Sequence, residues 1–416
     1  VVTREDHFLP PDNLQTDPDK GISHRTSPTN IGLYLVSLIA AEKLGFLTPG
    51  EMAERMERTM DAAERLPRSH GHLYNWVDTR TLQPLPPRVV SSVDSGNLAV
   101  CLLTCAQGVR TLLAELPRPF HALAERMDRL AAGMDFAYLY DAEAELFYIA
   151  REDDQPGNPL SHYDLLASEA RLLSFVAIML RQAPVRHWYR LSRAMTRTAC
   201  GNALVSYSGT MFEYLLPVVF QPLVKGTLLW QACRRAVRVQ RREKQRGVFG
   251  VSESGYYAFD PELYYQYRAF GVPALALDPI RNQQVVAPYA TALALPLAAK
   301  AAFRNIQRLQ GLGMEGPLGL YEAVDFDRNR IGADATRRIV YSHMTHHQGM
   351  ALLSICNLLC AETIADLFSA LPRAQAYRLL LEEKPVRRRL LVRNPLKRAE
   401  PDERLPALRA SRLAYP

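Results

Sequence analysis

Residues 27–66, SPTNIGLYLVSLIAAEKLGFLTPGEMAERMERTMDAAERL, decide the fold. Ser27-Pro28-Thr29 reads as a helix start, a hydroxyl cap followed by an early proline, and apolar spacing continues to about Leu44. Thr48-Pro49-Gly50-Glu51 has the capping-box form and predicts a second helix over Met52–Leu66. Outward from this pair, helices are predicted near Ser95–Glu115, Pro119–Phe136, Asp164–Arg181, His187–Thr198, Thr210–Phe220 and Lys225–Arg242. More follow near Pro261–Gly271, Pro288–Leu312, Arg338–Ala361, Glu362–Leu371 and Ala374–Glu383. Extended pieces are expected only at Leu73–Asp78, Phe147–Ile149 and Tyr256–Phe259. There is no βαβ alternation and no glycine-rich phosphate loop. About a dozen helices in one chain fit an all-α double ring, six inner and six outer, with a cleft in the loops at one end. An α-solenoid would need a fixed repeat period, and none is found.

The 416 residues are 48% hydrophobic and 22% charged, ordinary values for a globular protein with a sizeable core. No apolar run reaches the roughly 18–20 residues that span a bilayer, and the polar, acidic start is not a signal peptide. Opening on Val1 rather than Met, the sequence is expected to be a piece of a longer protein. Its domains are expected at 1–372, the helical ring, and 373–416, an Arg/Pro-rich tail or linker. The net charge of +7 invites a nucleic-acid reading, but the basic residues concentrate in Arg234–Arg246 and the tail, without interleaved aromatics. Solvated helix faces explain them better, and no nucleic-acid partner is expected. Six cysteines, with Cys101/Cys105 and Cys356/Cys360 as i,i+4 pairs in apolar helical patterns, read as buried free thiols.

Chemistry concentrates in the loops. Aromatic, carboxylate and amide residues crowd His24–Asn30, His72–Trp76, Ser91–Asn97, His162–Asp164 with Ser168–Arg171, Ser206–Tyr214, Val251–Tyr257, Gly319–Phe326 and His343–Gly349. A sugar polymer needs aromatic faces for its C–H surfaces and polar groups for its hydroxyls. Glycosidic chemistry needs two carboxylates, an acid and a base or nucleophile. These loops supply both. His343, His346 and His347 with Cys356 and Cys360 raise a zinc reading, which helical spacing disfavours: the histidines face different ways and the cysteines lie two to three turns on. No metal and no cofactor are expected.

Several of these stretches, in order, resemble the glucoamylase-like domain of cyclic β-1,2-glucan synthases: RTSPTNIGLY at 25–34, VSSVDSGNL at 90–98, LLASEARL at 165–172, SGTMFEYL at 208–215, SES at 252–254, VAPYAT at 286–291 and HHQGM at 346–350. The resemblance runs from about Leu9 to Ala361. It implies an (α/α)6 barrel with short β segments in its loops, lying between glucosyltransferase and phosphorylase-like modules. The parent would sit at the cytoplasmic side of a bacterial inner membrane, with this domain itself soluble. The implied activity is anomer-retaining transglycosylation that closes linear β-1,2-glucan into a ring. Hydrolytic endo-β-1,2-glucanases share the fold and are the first alternative; a non-catalytic glucan-holding module is the second.

By the same resemblance Glu169 is the acid/base and Glu253 the nucleophile, 84 residues apart in sequence. On the residues alone, Glu169 could instead pair with Arg171, whereas Glu253 has only serine and glycine beside it. Glu213 is the rival to Glu253, and otherwise a substrate contact. Glu322 and Asp325 form a third acidic cluster expected to bind substrate, Asp325 being the natural water-activating base of an inverting relative. Arg25, Tyr74, Trp76, Asp94, Tyr207, Tyr256, Tyr257, Gln266, Tyr289, His346, His347 and Gln348 complete the expected cleft. Tyr207 and Phe249 stand where the family pattern expects Trp, which keeps a stacking surface of smaller area.

Overall fold

The structure is a computed structural model that describes residues 1–153, 161–279, 284–361 and 363–385. Its helices come in consecutive pairs: α1 (Pro28–Lys43) and α2 (Pro49–Ala63), α3 (Ser92–Thr111) and α4 (Leu123–Ala132), α5 (Arg171–Met179) and α6 (Arg186–Arg190). Then come α7 (Met211–Leu215) and α8 (Leu228–Arg242), α9 (Pro288–Leu293) and α10 (Leu295–Gly311), the single turn α11 (Arg328–Ile331), and α12 (Thr345–Leu359) with α13 (Thr363–Ser369). The first member of each pair lies in an inner ring. α1 packs between α3 and α12, α3 reaches α5, and α9 sits between α7 and α12. The Arg171 guanidinium, donating to the Tyr214 carbonyl at 3.2 Å, bridges α5 to α7.

Composition sorts the rings. α1 and α3 are apolar nearly all round because both sides are covered. Outer helices α2, α4 and α8 bury one face only, and Arg234, Arg238, Arg241 and Arg242 of α8 stand exposed, the solvated face expected of that basic stretch. Small residues let the inner helices close up. A Cβ on Gly96 would lie 2.6 Å from Leu173 of α5, and one on Gly32 would lie 2.9 Å from Cys101 of α3. The last pair departs from the expected ring, since α13 bends 92° away from α12 and packs against α3. Phe368 of α13 meets Phe175 of α5 with ring centroids 6.0 Å apart. No single helix among the described residues is long and apolar enough to cross a membrane.

The predicted starts at Ser27 and Thr48 are present: Ser27 Oγ accepts from the Asn30 amide, and Thr48 with Glu51 forms the complete capping box. Three predicted helices are wrong in part, and one of them, His187–Thr198, is helical only over Arg186–Arg190, while Met195–Thr198 is a strand paired with Gly201–Leu204. Pro261–Gly271 is not helical but forms one arm of a hairpin, β3 (Ser254–Phe259) against β4 (Tyr265–Arg268). Alternating tyrosines at 265 and 267 suit a pleated strand better than a helix face. The start of Arg338–Ala361 is likewise a strand. It enters a five-stranded antiparallel sheet built from β1 (Asn13–Asp17), β2 (Asp19–Ile22), β5 (Val285–Val286), β6 (Ala323–Asp325) and β7 (Arg338–Met344), in the order β5-β6-β7-β1-β2. This sheet was not expected. It brings the beginning of the chain beside the entry to α12, where the Thr345 amide donates to the Asp12 carbonyl at 2.9 Å.

Beyond residue 372 the chain stays packed on the barrel. α14 (Pro372–Tyr377) packs on α5, the Leu228 amide donates to the Glu383 carbonyl at 2.7 Å, and Arg193 pairs with Glu383 at 2.8 Å. Contact with the barrel therefore continues to Glu383. The rest of the expected tail, from residue 386, lies outside the described residues.

Candidate active site

Each inner helix delivers a polar or aromatic residue at or just before its first turn: Asn30 on α1, Asp94 on α3, Glu169 before α5, Glu213 on α7, Tyr289 on α9, His346 and His347 on α12. The ring turns six sequence-distant caps into one cluster. Hydroxyl caps hold several starts, with Ser91 Oγ accepting from the Asp94 amide at 3.3 Å and Ser27 Oγ from the Asn30 amide at 3.2 Å.

Glu169 and Glu253 lie within electrostatic range of each other in this cluster. Glu169 accepts from Ser168 Oγ at 3.2 Å and has no basic ion-pair partner among the described residues. Arg171, the alternative partner, is turned inward to the Tyr214 carbonyl and the Cys233 sulfur. Enclosure in the cleft, and then the nearby Glu213 and Glu253 carboxylates, push the Glu169 carboxyl up to about 8. Glu253 is pushed up to about 7 by burial and by the charges of Glu213, Asp94 and Glu322, while a hydrogen bond from the Tyr267 phenol pulls the other way. Burial also raises Asp94, and raises Glu322 to about 7.

Glu213 is close to both carboxylates but closed to substrate. It is 5% exposed and accepts from the Ser208 amide (3.0 Å), the Thr210 amide (2.7 Å), Thr210 Oγ1 (2.9 Å) and Ser206 Oγ (2.9 Å). Its role as a substrate contact or rival nucleophile is therefore corrected: it is the capping-box residue of α7, and its nearby charge raises Glu169. Asp325 is corrected in the same way. Fully buried, it accepts from Arg330 at 2.6 and 2.8 Å, from the Asp327 amide at 2.9 Å and from the Tyr257 amide at 3.2 Å. No acceptor site remains on it for a water or a sugar hydroxyl.

Tyr74 is also removed from the cleft, being 7% exposed with its phenol on the Asp153 carboxylate. Tyr207 does not offer its hydroxyl either. That oxygen accepts from the Asp164 and Leu165 amides (2.6 and 3.2 Å) and donates to Asp164 Oδ1 (2.8 Å), which pins the segment leading to Glu169. Tyr256 packs edge-on against Phe270 beneath Arg330, and Gln266 pairs with it on that face of the hairpin. Tyr257 lies beyond, with Phe259 and Tyr265, in a cavity of ≈ 580 Å³ also lined by Arg337, Arg338 and Tyr341.

The residue one place from Gln266, Tyr267, is absent from the expected cleft. Tyr267 stands on the opposite face from Gln266 by strand alternation, 37% exposed, with its phenol facing Glu253 and lowering that carboxyl's proton affinity. The same oxygen lies 3.2 Å from His347 Nε2 and 3.3 Å from His346 Nε2. His347 stacks on Tyr289, with ring centroids 3.7 Å apart, and its Nδ1 lies 2.8 Å from Glu322 Oε1. Tyr289 reaches Ser252 Oγ and the Glu253 carbonyl, each at 2.8 Å. Burial keeps both imidazoles neutral, His346 down at about 3 and His347 well below its usual range.

On the rim, the Arg25 guanidinium lies 4.5 Å above the Trp76 ring and pairs with Asp12 at 3.1 Å. Asp12, also absent from the expected cleft, accepts from Asn30 Nδ2 at 3.3 Å. Gln348 donates to the Leu320 carbonyl at 3.3 Å. Alternation of β4 would have exposed Tyr267; nothing in the sequence around Asp12 marks it.

Residues 161–372, a little over half of the chain, match the Glycoamylase family model ("Putative glucoamylase"). The chain is 32% identical, over 93% of its length, to the cyclic β-(1,2)-glucan synthase NdvB of Rhizobium meliloti strain 1021, and spans 18% of that relative. Among solved structures it is similar to an endo-β-1,2-glucanase from Chitinophaga pinensis in complex with sophorotriose and glucose (TM-score 0.73, 15% identity, 90% of this chain and 92% of that one). It is also similar to an endo-β-1,2-glucanase from Talaromyces funiculosus in complex with β-1,2-glucan (TM-score 0.74, 14% identity, 92% and 85%). At such identities the structural likeness speaks for the fold, an (α/α)6 barrel. With the family match covering the segment that carries Glu169, Glu213, Glu253 and His347, the chain belongs to the Glycoamylase family.

Proposed function

We propose that this chain is an anomer-retaining transglycosylase that closes linear β-1,2-glucan into a ring. The carrying observation is the division among its acidic groups. Glu169 is held up near 8 and so carries a proton at neutral pH, as a general acid requires. Glu253 receives a phenolic hydrogen bond that favours its ionised form, as a nucleophile requires. Asp325, the carboxylate that an inverting hydrolase would use to activate water, is consumed by Arg330 and two backbone amides.

In the first step a Glu253 carboxylate oxygen attacks the anomeric carbon and the glycosidic C–O bond breaks. The Glu169 proton passes to the leaving oxygen, directly or through a substrate hydroxyl. In the second step the 2-hydroxyl of the same chain's non-reducing end attacks that carbon. Its proton returns to Glu169, a β-1,2 bond forms and Glu253 is released. Arg25, Trp76, Asp94 and His346 are the substrate-facing residues of this reading. The relative of which the chain spans 18% fits a module within a larger synthase, flanked by glucosyltransferase and phosphorylase-like parts at the cytoplasmic side of an inner membrane.

The test is incubation with linear β-1,2-glucan and mass analysis of the products. Products one water lighter than the matching linear chains support cyclisation. Short linear products alone would overturn it in favour of the endo-β-1,2-glucanase reading, and bound but unaltered glucan would favour a holding module.

A further inference from the structure

Four side chains from four separate segments form one continuous line: Glu322 before β6, His347 on α12, Tyr267 on β4 and Glu253 before β3. Its measured links are Glu322 Oε1 to His347 Nδ1 at 2.8 Å and His347 Nε2 to Tyr267 Oη at 3.2 Å, and the Tyr267 phenol at the end of the line faces Glu253, whose proton affinity it lowers. Glu322 is 2% and His347 1% exposed, and the stack on Tyr289 (interplanar angle 9°) fixes the imidazole plane. A neutral imidazole has one N–H and one lone pair, and a phenol has one O–H and accepts at its oxygen. The line therefore has two self-consistent proton arrangements. In one, protonated Glu322 donates to His347 Nδ1, Nε2–H donates to the Tyr267 oxygen, and Tyr267 O–H donates to ionised Glu253. In the other, every proton has moved one place: Glu253 carries the proton and donates to the Tyr267 oxygen, Tyr267 donates to Nε2, and Nδ1–H donates to ionised Glu322. The net change is one proton carried from Glu322 to Glu253, with His347 and Tyr267 neutral at both ends.

We propose that Tyr267 and His347 are positioning residues that make Glu253 and Glu322 share a single proton, so that Glu322 holds it while Glu253 is ionised for attack. The inference rests on the reading of Glu253 as nucleophile. Nearby carboxylate charges disfavour the ionised form of Glu253, so it ionises more readily while Glu322 is held neutral. Glu253 is surrounded by Tyr289 from α9, Glu213 from α7, Asp94 from α3, Glu169 before α5 and the phenol of Tyr267. The phenol is the group among these that lowers its proton affinity. His346, with its Nε2 3.3 Å from the same phenol oxygen and its ring against His347, is a second imidazole that holds Tyr267 in place.

The test uses the full chain and the pH profile of kcat/KM on linear β-1,2-glucan. Tyr267→Phe removes the donor from Glu253, so the acid limb moves to higher pH by about half a unit, roughly threefold in rate on that limb. Glu322→Gln removes the competing charge and moves the same limb to lower pH. In the Tyr267→Phe background the Glu322→Gln shift shrinks, because the line is already cut. Loss of rate with unmoved limbs, or shifts in the same direction, would overturn the relay while leaving Glu253 as nucleophile. Full activity of Glu253→Gln would instead overturn the nucleophile. A readout free of turnover is infrared difference titration of the protonated carboxyl band. Glu322→Gln should leave Glu253 ionised at a pH where the parent pair still holds its proton; an unchanged Glu253 titration contradicts the sharing.

Discussion

Glu169 and Glu253 are ordinary glutamates made unequal by their neighbours. The nucleophile must be ionised and the acid protonated, so activity is expected to rise as pH climbs through about 7 and to fall through about 8, a narrow bell read from kcat/KM against pH. Glu169→Gln and Glu253→Gln should each lower turnover by at least ~10²–10⁴-fold while glucan binding, followed by calorimetry, survives. Glu213 raises Glu169 by charge, so Glu213→Gln is expected to lower the proton affinity of the acid. The alkaline limb then moves to lower pH, and an unmoved limb in a folded variant would contradict that role. At this scale the motifs around Glu169, Glu253 and His346-His347 were legible because their residue types are rare outside sites. Asp325 and Glu213 were misjudged for the opposite reason. Whether a carboxylate is free depends on its partners, and Arg330 lies five residues from Asp325 in a turn whose shape the sequence does not announce.

Helix starts were readable because capping is local: Ser27, Thr48 and Thr210 each satisfy an amide three residues on. Strands were not, because their stabilisation comes from partners far away. β1 pairs with β7 across more than three hundred residues, and β4 owes its form to β3 and to contacts with Gln15. Packing between inner helices is set by shape. Gly96→Ala would bring a Cβ within 2.6 Å of both backbone and side-chain carbon of Leu173, and neither can swing away. A loss of ~1–3 kcal/mol is expected, seen as a lowered Tm, with α3 and α5 prised apart beside Asp94 and Glu169. A Tm unchanged from the parent would show that α5 yields more easily than its packing indicates.

The whole molecule holds several carboxyls in a cleft that favours their protonated forms: Asp94, Glu169, Glu253 and Glu322 are all raised. In each, the folded state binds its proton more tightly than the unfolded chain. The resulting stability is present at acid pH and is lost as pH rises from the unfolded value near 4.5 through the folded values, about 7 for Glu253 and Glu322 and about 8 for Glu169. Stability measured by urea unfolding should thus fall between pH 5 and pH 8, by about 1–3 kcal/mol once solvent in the cleft is allowed for. Glu169→Gln should flatten part of that slope and stabilise the protein at pH 8, the expected cost of keeping an acid protonated for catalysis. A slope of the opposite sign would mean these groups are ionised and paired. The sequence by itself determined the helical class, the capped starts of α1 and α2 and the acid-bearing segments, because each depends on residues within a few positions of one another. The tertiary structure alone decided which acids are free, that Tyr267 rather than Gln266 faces Glu253, and that α13 turns away from α12 to pack on α3. Those outcomes depend on distances between residues tens to hundreds apart, and only the closed ring sets them.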